Sequence, residues 1–458
     1  MRTITSLLLL ACASVSPATE VPVPAFTAGD SVCLIGDSIT HGGGYHANLL
    51  LFYATRLPSA RFSMHNCGIA GDSASGVLRR FDWDIAVHRP TVATIMLGMN
   101  DVGRHLYPTD SADRPDPALQ RKAIDDYAAN LEQLALRLDD LSCRIIVLTP
   151  SIYDQTGNQK TDNYVGVNDA LATCAGLGRE LADRHHGTVV DFHAPLTRIN
   201  AEGQAADPSY TIVGADRVHP GAPGHLVMTY LMLKAQGLPG TVAGLSIDAA
   251  SGKLTVERCT VSDLVRRDGA VSFTSLAESL PFPVPPGARS ALTLVPLMAE
   301  LNREPLSITS LPVGRYELLI DGHLVLEATA DDLATGIDLA QNEATPQYRQ
   351  AVEVRTIKDH RHMLISQRLR TLVAVEHGII RQAKHLNAGD QAAIDVLLGE
   401  RLRKAKEDKF TYGVWQLETY QQWKPRQNEL EAEIKNATEA LWKACLPKPR
   451  HYLVRPKV

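Results

Sequence analysis

The first half of the chain alternates between short β-rich runs and longer helical stretches, and this alternation limits the possible folds more than any other feature. The β-rich runs occupy residues 32–35, 61–66, 91–97, 143–148 and 188–192. The stretches between them, such as residues 118–138 and 167–184, are richer in Ala, Leu and charged residues. Strands that alternate with helices form a parallel sheet with helices on both faces. We therefore predict an α/β domain over residues 29–236.

The pattern changes after Gly237-Leu238-Pro239-Gly240, which we interpret as a domain boundary. Short strands and turns follow, and Asp321-Gly322 between two apolar runs is typical of a β-hairpin. Farther on the pattern is helical, with one apolar face formed by Leu430, Ile434, Ala437 and Leu441. The sequence predicts a small β-rich module at residues 241–340 and a helical C-terminal region at residues 345–458. More than one domain agrees with a length of 458 residues.

The N-terminus has the composition of an export signal. A basic residue precedes an apolar run over residues 7–13, and small residues continue to Ala18. The run is too short to span a bilayer, so we assign residues 1–19 to a signal peptide. The tetrapeptide Leu9-Leu10-Ala11-Cys12 also resembles a bacterial lipoprotein box, in which lipidated Cys12 would attach the protein to a membrane. We expect an exported protein that is periplasmic, secreted or lipid-anchored at the cell surface.

Charge and cysteine content exclude two classes of protein. The net charge of −5 and the lack of a basic stripe argue against nucleic-acid binding. Six cysteines remain after the signal peptide, and no pair has the CxxC spacing of a redox or zinc site. Export would permit disulfides, but we expect mostly free, buried thiols at Cys33, Cys67, Cys143, Cys174, Cys259 and Cys445.

Gly-Asp-Ser occurs twice, and the first copy is the better candidate for a nucleophile. Gly36-Asp37-Ser38 follows a continuous apolar run, so Ser38 lies where a strand gives way to a helix. Downstream, Asp216 and His219 provide the carboxylate and base that a serine nucleophile needs. An Asp three residues before a His can instead make only a local turn contact. Ser73, in the second copy, is better explained as a helix cap.

Four sequence blocks, in this order, resemble the SGNH hydrolase superfamily, also called the GDSL esterases and lipases. The blocks are Gly36-Asp37-Ser38-Ile39-Thr40, Asn66-Cys67-Gly68-Ile69-Ala70-Gly71, Gly98-Met99-Asn100-Asp101 and Asp216-Arg217-Val218-His219-Pro220. The resemblance covers residues 29–236 and implies a three-layer α/β/α, flavodoxin-like domain. It implies that Ser38 is the nucleophile, that His219 is the general base and that Asp216 orients His219.

The resemblance also implies an oxyanion hole. Its donors would be the backbone N–H groups of Ser38 and Gly71 and the side-chain amide of Asn100. These residue types suit the task, because a glycine allows close approach of its N–H and an amide donates without changing charge. Alternatively, Gly71 is only a tight turn and Asn100 only a turn residue after a strand.

Three further groups of residues leave alternatives open. The histidines His41, His46, His105, His185 and His186 lack a metal-binding arrangement such as HExxH, and we interpret them as surface or loop residues. The series Gly42-Gly43-Gly44 either makes room for an acyl group or forms a flexible loop. Aromatic residues of the helical region form either a sugar-stacking surface or part of a core, namely Trp415, Tyr420 and Trp423. No metal or organic cofactor is implied.

We therefore expect an exported serine esterase that acts through an acyl-Ser38 intermediate. Low aromatic content, 5%, favours a short acyl group, and the breadth of the family favours an acetylated carbohydrate. The expected partner is a small-molecule or glycan ester, with oligomeric state left open. A lipase, aryl-esterase or thioesterase is an alternative. A cell-surface carbohydrate-binding protein with an ancillary hydrolase domain is another, and residues 241–458 could instead shape the rim of the active site.

Overall fold

A five-stranded parallel sheet forms the centre of the first domain. The computed structural model describes residues 22–109, 116–383 and 390–457. The predicted signal peptide at residues 1–19, with Cys12, lies outside the described residues. The strands are β1 (Ser31–Gly36), β2 (Ser63–Gly68), β3 (Val92–Met96), β4 (Arg144–Leu148) and β5 (Thr188–Val190). Their order is β2-β1-β3-β4-β5, with parallel pairing throughout, so the predicted α/β fold is confirmed.

Helices connect these strands and form two layers. They are α1 (Ser38–Gly42), α2 (Gly44–Arg56), α3 (Ala74–Arg80), α4 (Pro117–Asp140), α5 (Val167–Arg184), α6 (His193–Ala206) and α7 (Ala222–Ala235). Local sequence explains where they begin. Asp116 caps α4 by accepting a hydrogen bond from the backbone N–H of Ala118, and a proline at the first turn is compatible with a helix start.

The central strand β1 shows why both faces of the sheet are covered. Successive side chains of a strand point to opposite faces. Val32 and Leu34 belong to one buried cluster with residues of α2 and α7, while Cys33 and Ile35 belong to a second cluster with residues of α3, α4 and α5. A strand that is apolar at every position is therefore buried on both sides, as expected for a parallel sheet.

The β-rich module contains two sheets around a third buried cluster. Their strand orders are β13-β10-β6-β7 and β12-β11-β14-β9-β8. The strands are β6 (Gly244–Asp248), β7 (Leu254–Glu257), β8 (Cys259–Arg267), β9 (Ala270–Ala277), β10 (Pro305–Thr309), β11 (Arg315–Ile320), β12 (His323–Thr329), β13 (Ile337–Asp338) and β14 (Arg450–Pro456). The predicted hairpin is confirmed: Asp321 and Gly322 join β11 to β12, both with positive φ.

The second half contains seven α-helices in the described part of the chain. They are α8 (Leu297–Leu301), α9 (Ala330–Thr335), α10 (Pro346–Met363), α11 (Arg370–Val375), α12 (Gln391–Glu407), α13 (Thr411–Trp423) and α14 (Gln427–Ala444). A π-helical segment, Leu364–Leu369, joins α10 to α11. The predicted apolar face of α14 is present, since Leu430 and Leu441 are completely buried.

The end of the chain differs from the sequence prediction. Strand β14 returns to the β-rich module, where it pairs with both β9 and β11. Tyr452 and Val454 are buried in the module core, whereas Leu453 between them is partly exposed. The prediction of a helical region through to residue 458 was therefore wrong for these residues. A short alternating pattern after a long helical stretch gives only a weak signal, and the helical region is inserted between two strands of the module.

A buried network of charges joins the helical region to the first domain. Arg370 of α11 binds Asp84 through two hydrogen bonds of 2.6 and 2.9 Å and donates to the carbonyl of Gly68 at 3.1 Å. Arg80 binds Asp84 at 2.5 Å and Asp72 at 2.7 Å. Burial alone would raise the pKa of Asp84, but the two guanidinium groups outweigh burial and hold it well below its usual range.

The six cysteines of the described chain are all free and buried, as predicted. In the part of the chain that the structure describes, no helix combines the length and apolar character needed to cross a bilayer.

We expect Arg370→Met to lower the free energy of unfolding by about 3 kcal/mol, because it removes one cation from a buried pair and leaves its partner charged. Urea denaturation would measure the change. Lys122→Met is the matched control, since Lys122 forms an exposed pair with Asp126 worth about 0.5 kcal/mol or less. Equal losses in the two variants would contradict a structural role for the buried network.

Candidate active site

Ser38 occupies the first turn of α1, directly after β1. Asp37 caps this helix by accepting a hydrogen bond from the backbone N–H of Ile39 at 3.0 Å. The Ser38 hydroxyl lies 2.7 Å from Nε2 of His219, although the two residues are 181 positions apart in the chain. Because Ser38 begins a helix, its own backbone N–H has no acceptor within that helix. The strand-to-helix corner thus presents both a hydroxyl and an N–H to one space.

Asp216 and His219 form a tight turn just before α7. Nδ1 of His219 lies 2.5 Å from Oδ2 of Asp216. The other carboxylate oxygen, Oδ1, accepts hydrogen bonds from the backbone N–H groups of His219 at 3.0 Å and Val218 at 3.1 Å. Burial would raise the pKa of Asp216, but these hydrogen bonds and the nearby imidazole lower it. The carboxylate is therefore held ionised and aimed at the imidazole.

Arg217 fixes this turn from within. It adopts a positive φ of 68°, which is uncommon for a residue with a side chain. Its guanidinium is buried and donates to four backbone carbonyls, those of Asp154, Gly157, Gln159 and Thr161. These bonds anchor the Asp216–His219 turn to a neighbouring loop and offset the strain of the backbone. Arg217 belongs to the last of the four sequence blocks, but nothing in the sequence indicates this role.

The predicted oxyanion-hole residues meet at the same rim of the sheet. Gly71 adopts a φ of 81°, a backbone conformation that favours glycine, and it lines the cavity that contains Ser38. The amide of Asn100 donates one hydrogen bond to the Asp72 carbonyl at 2.8 Å, which orients the amide. Gly68, at the end of β2, must be a glycine because a Cβ would lie 2.3 Å from the backbone nitrogen of His41.

His41 links the Gly68–Gly71 loop to the helical region. Its Nδ1 accepts a hydrogen bond from the backbone N–H of Ala70 at 3.1 Å. Its other ring nitrogen, Nε2, therefore carries the proton and donates to the carbonyl of Ser366 at 3.0 Å. Burial, followed by the charge of Arg370, lowers the pKa of His41 to about 4, so the ring is neutral at neutral pH.

Two carboxyl groups lie next to the site, one from Asp37, which is buried, and one from Asp101, which is partly buried. Burial, with the charges of Asp101 and Asp72, raises the pKa of Asp37 to about 7. Burial also raises the pKa of Asp101 to about 6, although its oxygens accept hydrogen bonds from the backbone N–H groups of Ala74 at 2.8 Å and Gly98 at 3.0 Å. Near neutral pH the charge beneath Ser38 therefore depends on pH.

The structure also places Ser73, two of the histidines and the glycine series near the site. Ser73 caps α3 by accepting a hydrogen bond from the backbone N–H of Gly76, as predicted. The interpretation of His41 and His46 as surface or loop residues was wrong, because both are buried. The Gly42-Gly43-Gly44 series joins α1 to α2 through Gly43, which has a φ of 70°, so it is a tight helix junction rather than a loop.

A cavity of about 570 Å³ contains the candidate catalytic groups. Its lining from the first domain includes Ser38, Gly71, Asn100 and His219. Its lining from the second half includes residues of α10, of the π-helical segment and of α13, namely His362, Met363, Ser366, Gln367, Tyr412 and Trp415. Of the three aromatic residues named in the sequence analysis, Trp415 lines the cavity and Tyr420 is buried. Trp423 packs against Arg368, whose Cζ lies 4.0 Å from the centre of the Trp423 ring.

This geometry suits acyl transfer. The serine hydroxyl is hydrogen-bonded to an imidazole, and the imidazole is hydrogen-bonded to a carboxylate. Such an imidazole can take the serine proton while the serine oxygen attacks a carbonyl. Backbone N–H groups and a neutral amide nearby can donate hydrogen bonds that stabilise the negative charge developing on the carbonyl oxygen. The groups that this chemistry would use belong to the first domain, and the second half contributes cavity walls.

Comparison with known proteins agrees with this chemistry. Residues 34–227 match the profile of the GDSL-like Lipase/Acylhydrolase family. An acetylxylan esterase from Geobacillus stearothermophilus is 25% identical over 224 residues, which cover 46% of this chain and 94% of that enzyme. A solved structure of BT4096, described as a gut microbial diltiazem-metabolizing enzyme, is 32% identical with a TM-score of 0.87 and covers 95% of this chain and 99% of that one.

We expect Asp37→Asn to gain stability relative to the parent as pH rises from about 5 to about 8.5, by about 2 kcal/mol or more. The parent carboxyl ionises near pH 4 when unfolded but near pH 7 when folded. Its contribution is complete below the unfolded pKa and is lost as pH rises through the folded pKa. An asparagine retains an oxygen that can cap α1 and has no charge to bury.

Urea denaturation of both proteins at the two pH values would measure this difference. Asp126→Asn is the control, because Asp126 is exposed and should give no comparable trend. A constant gap between parent and Asp37→Asn would contradict the elevated pKa.

Proposed function

Because this chain belongs to the GDSL-like lipase/acylhydrolase family and is a carboxylic ester hydrolase, we propose that it removes acetyl groups from a carbohydrate through an acyl-Ser38 intermediate. The observation that carries the proposal is the hydrogen-bonded sequence Ser38, His219, Asp216, with distances of 2.7 and 2.5 Å. This arrangement supports a serine nucleophile and needs no further group to generate it.

The proposed reaction has two stages. Nε2 of His219 takes the Ser38 proton while Oγ attacks the ester carbonyl, and Asp216 stabilises the imidazolium that forms. The resulting oxyanion is held by the N–H groups of Ser38 and Gly71 and by the Asn100 amide. His219 then gives its proton to the departing alcohol. In the second stage His219 activates water, which attacks the acyl-enzyme, and release of acetate restores Ser38.

The choice of an acetyl ester is supported by the named relatives. One similar protein is an acetylxylan esterase, and another acts on diltiazem, a compound that itself carries an acetate ester. The two alcohols differ, but an acetyl group is common to both compounds. A small acyl group would leave most of a 570 Å³ cavity for the alcohol, so this enzyme would select its acyl group more strictly than its alcohol.

We expect Ser38→Ala to abolish hydrolysis of para-nitrophenyl acetate, with a loss in kcat of up to about 10⁶-fold. The assay would use a series from acetate to decanoate, followed by acetate release from acetylxylan and from diltiazem. Ser73→Ala is the matched control, because it alters the other Gly-Asp-Ser sequence and removes a helix cap and a hydrogen bond to Ser75, both outside the cavity lining. Preference for decanoate would indicate a lipase, and retained activity in Ser38→Ala would refute the proposed nucleophile.

We also propose that the protein is exported, on the basis of the charged, apolar and small-residue succession in residues 1–19. Expression of the full chain in a bacterial host should yield a mature protein that begins at Cys12 or after a nearby alanine. Mass spectrometry of the purified protein would identify the new N-terminus, and Cys12→Ala would separate lipidation from simple cleavage. An intact N-terminus on cytoplasmic protein would contradict export.

A further inference from the structure

The exposed aromatic residues of this protein are concentrated at one place. Every Phe, Tyr and Trp of the chain lies within the described residues, and the exposed ones are Phe410, Tyr412 and Trp415, at 56%, 41% and 39%. They lie within a span of six residues, in which Phe410 directly precedes α13 and the other two belong to its first turns. Large aromatic side chains are usually buried, so such a group marks a surface for binding.

Two of these three residues face the active site. Tyr412 and Trp415 line the cavity that contains Ser38 and His219. Their ring centroids are 5.6 Å apart and their planes are inclined by 37°, so they form a continuous wall. Tyr412 and Trp415 are three positions apart on one helix and therefore occupy the same helix face.

This wall is held in place by the packing of α13. Leu417 and Tyr420, on the same helix, are buried in the core of the helical region. Phe410 packs over Gly413, where an added Cβ would lie only 2.4 Å from the Phe410 ring. The two aromatic rings are thus presented by a packed helix rather than by a loop, which lowers the entropy cost of binding.

We propose that Tyr412 and Trp415 form the subsite that binds the ring of the alcohol, a sugar pyranose stacked on the indole and phenol rings. This inference rests on the proposed acetyl esterase function and adds the element that recognises its substrate. An acetyl group fills little of the 570 Å³ cavity, and the aromatic wall lies in the volume that remains for the alcohol. Arg104 and Gln367 line the same cavity and supply donors for sugar hydroxyls.

The proposed subsite belongs to the helical region and is therefore separate from the catalytic domain. In the acetylxylan esterase, 224 matched residues account for 94% of the enzyme, about the size of the first domain alone. The match to BT4096 spans 95% of this chain and so includes most of the second half. The aromatic wall is therefore an addition to the catalytic core, contributed by a region that carries none of the groups for ester cleavage.

The proposal predicts a specific kinetic change. Stacking on the ring acts on the bound substrate and the transition state alike, so its loss should raise KM with little change in kcat. Trp415→Ala should lower kcat/KM for acetylated xylobiose about tenfold, the low end of the effect of removing an aromatic that stacks on a nucleobase. Ethyl acetate has no ring to stack, so the loss for it should be much smaller. Tyr412→Ala should behave in the same way, and Trp415→Phe should recover part of the activity.

Trp423→Ala is the matched control. Trp423 lies on the same helix but is not part of the cavity lining. Its ring packs against Arg368 and Arg426, whose Cζ atoms lie 4.0 and 5.0 Å from the ring centre. This variant should retain the parent ratio of activity on the two esters. Equal losses on acetylated xylobiose and ethyl acetate in Trp415→Ala, or no loss on either, would overturn the subsite.

A binding measurement separates this proposal from the proposed function. Calorimetric titration of the Ser38→Ala protein with acetylated xylobiose should detect binding, which the added Trp415→Ala change should weaken about tenfold. Binding that depends on Trp415 would support the subsite even if the parent failed to hydrolyse this ester. Hydrolysis by the parent with binding that is indifferent to Trp415 would refute the subsite and leave the esterase assignment intact.

Discussion

The buried bond between Arg370 and Asp84 is the interaction on which the arrangement of this protein depends. Arg370 comes from the helical region, yet its guanidinium also binds the carbonyl of Gly68, at the start of the loop that presents Gly71. Asp84 is shared with Arg80, which holds the carboxylate of Asp72. The Asp72 carbonyl then orients Asn100. A charge on the second half of the chain is thereby coupled to the candidate oxyanion donors.

Because of this coupling, the second half of the chain is part of the structure of the first domain. Without Arg370, the first domain would keep a buried carboxylate that only Arg80 neutralises, and unpaired buried charge is costly. Without the helical region as a whole, His41 would also lose the Ser366 carbonyl as its acceptor. The helical region therefore completes the interior of the first domain as well as one wall of the cavity. The sequence alternative in which residues 241–458 shape the active-site rim agrees with these contacts.

Much of the site could be predicted because several of its residues stand directly after recognisable strands in the sequence. A serine after an apolar run marks the carboxyl end of a strand, and parallel strands bring such ends to one rim. Ser38, Gly71 and Asn100 each follow a strand of the sheet, and they line one cavity in the structure. The roles of Arg217 and Arg370 could not be predicted, because a buried arginine is specified by partners distant in sequence and leaves no periodic pattern. Strand β14 was missed for the same reason: its pairing partners lie far earlier in the chain.

Electrostatics divides the site into a neutral part and a titrating part. The groups near the expected oxyanion are neutral dipoles, and His41 behind them stays uncharged because burial and Arg370 lower its pKa to about 4. Asp37, beneath Ser38, instead changes charge near pH 7. An ionised Asp37 would favour the imidazolium of His219 and oppose the oxyanion. Since these effects have opposite signs, they partly cancel, and the charge of Asp37 affects the whole transition state less than it affects either group alone.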